Sequence, residues 1–221
     1  MWKNIDADNY GLFHYRRFLD INNKYNNQEF PSNIDLKEFS PSSFDKVMSK
    51  YDIILPKKAR FKTSLYEHYK KSHIIKDLNT VIEIIKKEYP EYENSLDKAL
   101  NSRGGYFSNI FIMKKEYFDE YCAWLFDILE KAEKIIDTTG YDSYQSRVIG
   151  FLSERLLTIF IQYKKDTTPN IKIKEIRRLF LNEEPLKNIN FLFGKYIKFT
   201  NKIRFELFGL RFTIKIRSTA K

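Results

Sequence analysis

Apolar positions along the chain switch between short continuous runs and longer stretches at helical spacing. The run YGLF, Tyr10 to Phe13, predicts a short strand. YDIILP, Tyr51 to Pro56, predicts a second, buried strand closed by its proline. YFSNIFIM, Tyr106 to Met113, predicts a third, set off by the chain-breaking pair Gly104 and Gly105. Between and after these runs the period lengthens. Residues 64–92 predict two helical pieces, the second ending before Pro90, because the residue ahead of a proline is kept out of the α region. Leu96, Ala99 and Leu100 mark one further short helix. Phe118, Cys122, Leu125 and Leu129 form the apolar stripe of a long helix over 114–137. A last helix is predicted over 143–165, with Asp142 or Ser143 as its cap. The Asn-, Ser- and Pro-rich stretch 22–51 reads mostly as loop, with a short helix at 42–50. Strands alternating with helices give an α/β, helix-rich class, although three strands are fewer than a doubly wound sheet normally shows.

Composition narrows the picture. Hydrophobic residues make up 43% of the 221 positions, enough for a packed core and too many for wholesale disorder. The single cysteine, Cys122, excludes an intramolecular disulfide and an all-cysteine zinc site; among bulky apolar neighbours it reads as a small buried hydrophobe. That inventory suits a reducing, cytoplasmic setting. The opening residues carry no apolar leader, and no run of about 18 uncharged apolar residues is present. The net charge of +10 is uneven: residues 170–221 hold 13 Lys and Arg against 4 Asp and Glu, so the rest is near neutral. We therefore divide the chain into a domain, 1–169, and a basic amphipathic tail, 170–221.

The candidate chemistry starts at HYRR, where the first strand runs into His14, Tyr15, Arg16 and Arg17. One reading is a solvated edge. The other is an anion site, because guanidinium groups pair with phosphate oxygens in a bidentate fork and open α/β sheets bind ligands at the carboxyl ends of their strands. Asp6-Ala7-Asp8 spells a DxD metal motif but precedes the strand instead of following it, so a divalent metal is not favoured. Glu154 lies on a helical polar strip with Gly150 and Ser153; it reads either as a general base or as half of a local ion pair. Asp142 is the other candidate base and equally a helix cap. Tyr66, Tyr69 and His73 follow Thr63 at spacings of three and four, along one helical face. They suit either a wall for a sugar or the core. Histidines 14, 68 and 73 lack zinc-ligand spacing, and no Walker A, GxGxxG or GxSxG motif is present.

Three stretches together resemble a bacterial family of glycosyltransferase-like proteins from capsular and exopolysaccharide gene clusters, long catalogued as a domain of unknown function. They are WKNIDADNYGLFHYRRFL, YDIILPKK with TSLYEHYKKSH, and NIFIMKKEYFDEYCAWLFDIL with GYDSYQSRVIGFLSERLL. The similarity covers roughly residues 2–161. It implies an incomplete glycosyltransferase A-type, Rossmann-like domain that transfers a sugar from a nucleotide-sugar. On this resemblance His14, Arg16 and Arg17 face the nucleotide diphosphate. Glu154, with Asp142 second, serves as base, and Thr63, Tyr66, Tyr69, His73 and Arg155 meet the substrate. Family members carry a further segment ahead of the WKN stretch, so the expectation is an amino-terminally truncated member.

The tail, NFLFGKYIKFTNKIRFELFGLRFTIKIRSTAK from Asn190, interleaves basic with aromatic and aliphatic residues. Three partners compete for it: an anionic membrane surface, the domain itself, and nucleic acid, the last without any supporting motif. The resulting expectation is a protein peripheral at the inner face of the cell membrane, acting on a lipid-linked glycan acceptor. The alternative is a non-catalytic membrane-surface or protein-interaction module derived from such an enzyme.

Overall fold

The computed structural model describes residues 2–14, 17–25, 41–180, 202–207 and 210–215. Arg16, residues 26–40 and most of the basic tail lie outside the described residues. The chain runs through β1 (Asn9–Leu12), β2 (Arg17–Leu19), α1 (Pro41–Met48), β3 (Ile53–Pro56), β4 (Ala59–Arg60), α2 (Leu65–Ser72) and α3 (Ile75–Glu88). It continues through α4 (Glu93–Asn101), β5 (Gly104–Gly105), β6 (Phe111–Lys114), α5 (Lys115–Ile135) and α6 (Val148–Thr167). Then follow β7 (Ile173–Ile176), β8 (Arg178–Phe180), β9 (Lys202–Leu207) and β10 (Leu210–Lys215).

The central sheet has the order β1-β6-β3-β7. Strand β6 is antiparallel to both β1 and β3, while β3 and β7 are parallel. Strands β1, β3 and β7 therefore all point the same way, and their carboxyl ends share one edge with the amino end of β6. Side chains alternate between the two faces of a strand. Ile53, Leu55, Phe111 and Met113 accordingly join the large core with α3, α4, α5 and α6, while Ile54, Ile112 and Ile176 join a smaller one with Leu19 and Met48. All four residues of β3 are buried, as befits a strand covered on both faces. Within the large core Tyr92 stacks on Trp124 and Tyr163, with ring centroids 4.8 and 3.7 Å apart. Cys122 is buried there as expected, and burial pushes its thiol up to about 12.

One sequence expectation changes. The run 106–113 is a strand only from Phe111; before it, Ser108 and Asn109 turn the chain with φ of 80° and 48°. Residues 173–180 form β7 and β8, which pair with β3 and β2 respectively. Asp52 fastens the approach to β7: its carboxylate accepts from the Lys172 N–H at 2.8 Å and from Lys114 Nζ at 2.6 Å. Burial alone would raise the Asp52 pKa, but these two donors outweigh it and hold the group below its ordinary value. Among the described residues no helix is long and apolar enough to cross a membrane.

Candidate functional site

The shared carboxyl edge is where the polar chemistry gathers. After β1 the chain turns tightly, with the Arg17 N–H donating to the His14 carbonyl at 3.1 Å, and then forms the ribbon of β2 with β8. The register sets Arg17 opposite Phe180, and Arg178 lies two residues back along β8. Period-two alternation puts both arginines on one face of the ribbon. Both guanidinium groups lie over the Phe180 ring, 5.6 and 4.5 Å from its centroid. Both donate to a single atom, Ser108 Oγ, at 3.0 Å from Arg17 Nη1 and 2.9 Å from Arg178 Nη1. A hydroxyl has two acceptor positions and one donor. With both acceptors taken, the Ser108 O–H is left to donate.

Helix α6 holds the loop that carries Ser108. The Tyr106 N–H donates to Thr158 Oγ1 at 2.9 Å, the Ser108 N–H to Glu154 Oε1 at 2.8 Å, and Asn109 Nδ2 to Ser153 Oγ at 2.7 Å. The second Glu154 oxygen accepts from Arg155 Nη1 at 3.1 Å. Arg155 is only 2% exposed, also donates to the Phe151 carbonyl, and lies 4.9 Å from the ring centroids of both Tyr69 and Phe107. Beyond it His73 stacks on Phe151 at 4.0 Å and lies 4.8 Å from Tyr69, while His68 stacks on Phe61 at 3.9 Å. Burial first, then the Arg155 charge, lowers both imidazoles, and His73 falls to about 4, so it is neutral at pH 7. Arg155 Nε, Tyr69 Oη and the Nδ1 atoms of His68 and His73 are buried without a hydrogen-bond partner. An unsatisfied buried polar atom costs about 1–3 kcal/mol, so one on the guanidinium and three around it make a feature that needs a reason.

A groove of about 640 Å³, lined among others by Asp8, Asp45, Lys114, Lys115 and Asp119, lies at the opposite edge of the sheet, beside the start of β1 and the end of β6. Asp6 is bound there to Lys115 at 3.2 Å. The DxD stretch thus lies away from the arginines. Among the described residues no cluster of three or more His, Cys, Asp or Glu could hold a metal.

Residues 1–165 match the family described as a domain of unknown function, DUF4422. The chain belongs to the DUF4422 family. Its fold is similar to the apo structure of the WbbM bifunctional glycosyltransferase, with 32% identity and a TM-score of 0.74. That match covers 82% of this chain and 35% of the other, so the DUF4422 chain spans about a third of the length of the protein it resembles. No curated protein matches it.

The DUF4422 fold brings Arg17, Glu154 and Arg155 into one hydrogen-bonded network through Ser108. Tyr69 and His73 join on the α2 side of Arg155. Tyr66 instead donates to Asn79 at 3.0 Å, and Thr63 is exposed ahead of α2. Asp142 accepts from the N–H groups of Tyr144 and Gln145 at 3.0 and 2.7 Å, the geometry of a cap on the turn that leads into α6. His14 stays at the turn beside Arg17, and Arg16 is not among the described residues. Sequence reasoning missed Ser108, Phe107, His68 and Arg178. Ser108-Asn109 carried a signal, a small polar pair inside an apolar run, which marks a turn. Arg178 carried none, having been counted with the basic tail.

Proposed function

We propose that this DUF4422 chain is a glycosyltransferase A-type, Rossmann-like domain of capsular or exopolysaccharide synthesis that transfers a sugar from a nucleotide-sugar to a lipid-linked acceptor. The observation that carries the reading is the convergence of Arg17 and Arg178 on Ser108 Oγ, at the carboxyl ends of three parallel strands. Two guanidinium groups there supply the positive charge that a leaving diphosphate needs, and Ser108 adds a hydroxyl donor. The resemblance to a glycosyltransferase supports the reaction class. Glu154, with both oxygens engaged, serves in this reading to position the Ser108 loop.

A panel of nucleoside diphosphates is expected to include one that raises the melting temperature. Arg17→Ala is expected to lower its affinity by more than about tenfold, since charge-assisted bonds contribute about 1.5–3 kcal/mol each. An unchanged shift in R17A would remove the diphosphate from this position.

For the acceptor, the β9–β10 hairpin supports a membrane surface. Its register pairs Ile203 with Ile214, Phe205 with Phe212 and Leu207 with Leu210. In the sequence these apolar positions alternate with polar ones, four of them basic: Lys202, Arg204, Arg211 and Lys215. A two-stranded hairpin of alternating apolar and basic positions is marginal in water and gains by lying at an interface. Co-sedimentation with phosphatidylserine vesicles is expected to be salt-sensitive and to fall when those four basic residues become Gln. Vesicle binding without any nucleotide binding would favour the non-catalytic module instead.

A further inference from the structure

Arg155 is the most deeply buried cation in the network, yet its hydrogen bonds are incomplete. Both, to the Phe151 carbonyl and to Glu154, run from Nη1. This leaves the Nε–Nη2 edge, the side that grips an oxyanion through two parallel bonds, without an acceptor among the described residues. The rings of Tyr69 and Phe107 lie against the guanidinium, which favours a ligand arriving in its plane at that edge. The buried polar atoms nearby, Tyr69 Oη and the Nδ1 atoms of His68 and His73, also lack partners. A path of aromatic rings leads inward. Tyr144, 50% exposed, lies 5.0 Å from Phe151, which stacks at 4.0 Å on His73, and His73 lies 4.8 Å from Tyr69. Such rings stack on sugar faces, while the guanidinium edge selects charge.

We propose that the Arg155 edge, with His68, Tyr69 and His73 around it, is a second oxyanion subsite that binds the carboxylate or phosphate of a charged sugar substrate. It rests on the glycosyltransferase reading above and deepens it by naming an acidic substrate. Glu154 separates this subsite from the Arg17–Arg178 pair, because its two carboxylate oxygens face one each: Oε1 through the Ser108 N–H, Oε2 through Arg155. A donor diphosphate and an acidic group on a second sugar can therefore be held together.

The test is isothermal titration of the full chain with D-glucuronate, inorganic phosphate and neutral D-glucose, each with and without a saturating nucleoside diphosphate. One of the two oxyanions is expected to bind, glucose is not, and the nucleotide is expected not to displace it. Binding of glucuronate assigns the subsite to an acidic sugar; binding of phosphate alone assigns it to a phosphorylated one. R155K keeps the charge but loses the two-bond edge, and is expected to weaken oxyanion binding by at least about tenfold. Should R155K fail to fold, the double variant H68F/H73F keeps the stacked rings, removes the polar atoms and is expected to weaken binding at least about fivefold. Neither oxyanion binding, full competition by the nucleotide, or wild-type oxyanion affinity in the folded variants overturns the proposal. R17A separates the two readings: loss of the nucleotide with retained oxyanion binding supports both, whereas retained nucleotide binding sinks the diphosphate assignment and leaves the Arg155 subsite standing.

Discussion

Glu154→Gln is expected to lower the unfolding free energy by about 3 kcal/mol, a large part of the roughly 5–15 kcal/mol that holds a domain of this size. The reason lies in what the carboxylate faces. One oxygen accepts from the Ser108 N–H and the other from Arg155, so both neighbours are donors. An amide has one acceptor and one donor end, and satisfies only one of them. Either the Ser108 loop is released or the buried Arg155 meets an N–H and keeps an uncompensated charge. The nucleotide should suffer with the fold, because Ser108 is the point on which Arg17 and Arg178 converge. Urea unfolding and nucleotide titration of E154Q check this together. If Glu154 is instead the general base, E154Q leaves stability and nucleotide affinity intact and removes about 10²–10⁴ of the rate. The two roles therefore predict opposite patterns.

The reach of the sequence followed the range of the interactions. Helix α5 was legible because Phe118, Cys122, Leu125 and Leu129 repeat at helical spacing, and all four are buried. Strand β3 was legible because a fully covered strand reads as an unbroken apolar run. Strand β7 was not. It is an edge strand with exposed Lys174, so its burial is partial and its lysine looked like part of a basic tail. The same charge count hid Arg178. The candidate site was readable only within the same range. Arg17 stood out at the end of a strand, but what it binds, Ser108, lies 91 residues away, and Arg178 approaches the same atom from 70 residues beyond that serine. No local pattern encodes that meeting; only the pairing of β2 with β8 creates it. Glu154 and Arg155 were visible as residues, but whether the carboxylate was a base or a tether depended on where the loop 106–109 lay. Two consecutive left-handed residues decided that, against an apolar run that otherwise reads as strand.

Gly104→Ala is expected to be the most damaging glycine-to-alanine change among the described residues, with a loss of about 3 kcal/mol or more. A Cβ built there would lie 2.2 Å from the Ala59 carbonyl oxygen, a backbone atom that no rotamer change can move. Strands β4 and β5 pair across this contact, Ala59 with Gly105 and Arg60 with Gly104. Adding the methyl forces the pair apart, together with the Ser102 Oγ bond to the Gly104 carbonyl. Gly105 is the control within the same pair. Its Cβ would meet Phe107 at 3.0 Å, Thr158 Oγ1 at 3.1 Å and Leu65 at 3.2 Å, all side-chain atoms that give way by tenths of an ångström. Gly105→Ala is therefore expected to cost about 1 kcal/mol. The two variants also differ at the site. Strand β5 feeds directly into the loop that carries Ser108, so opening it in G104A should weaken nucleotide binding along with stability, whereas G105A should retain most of both. Urea midpoints and nucleotide titrations on the pair measure this directly. Equal stability of G104A and G105A would show that β4 and β5 do not need their close approach, and would detach the Ser108 loop from the glycine pair that precedes it.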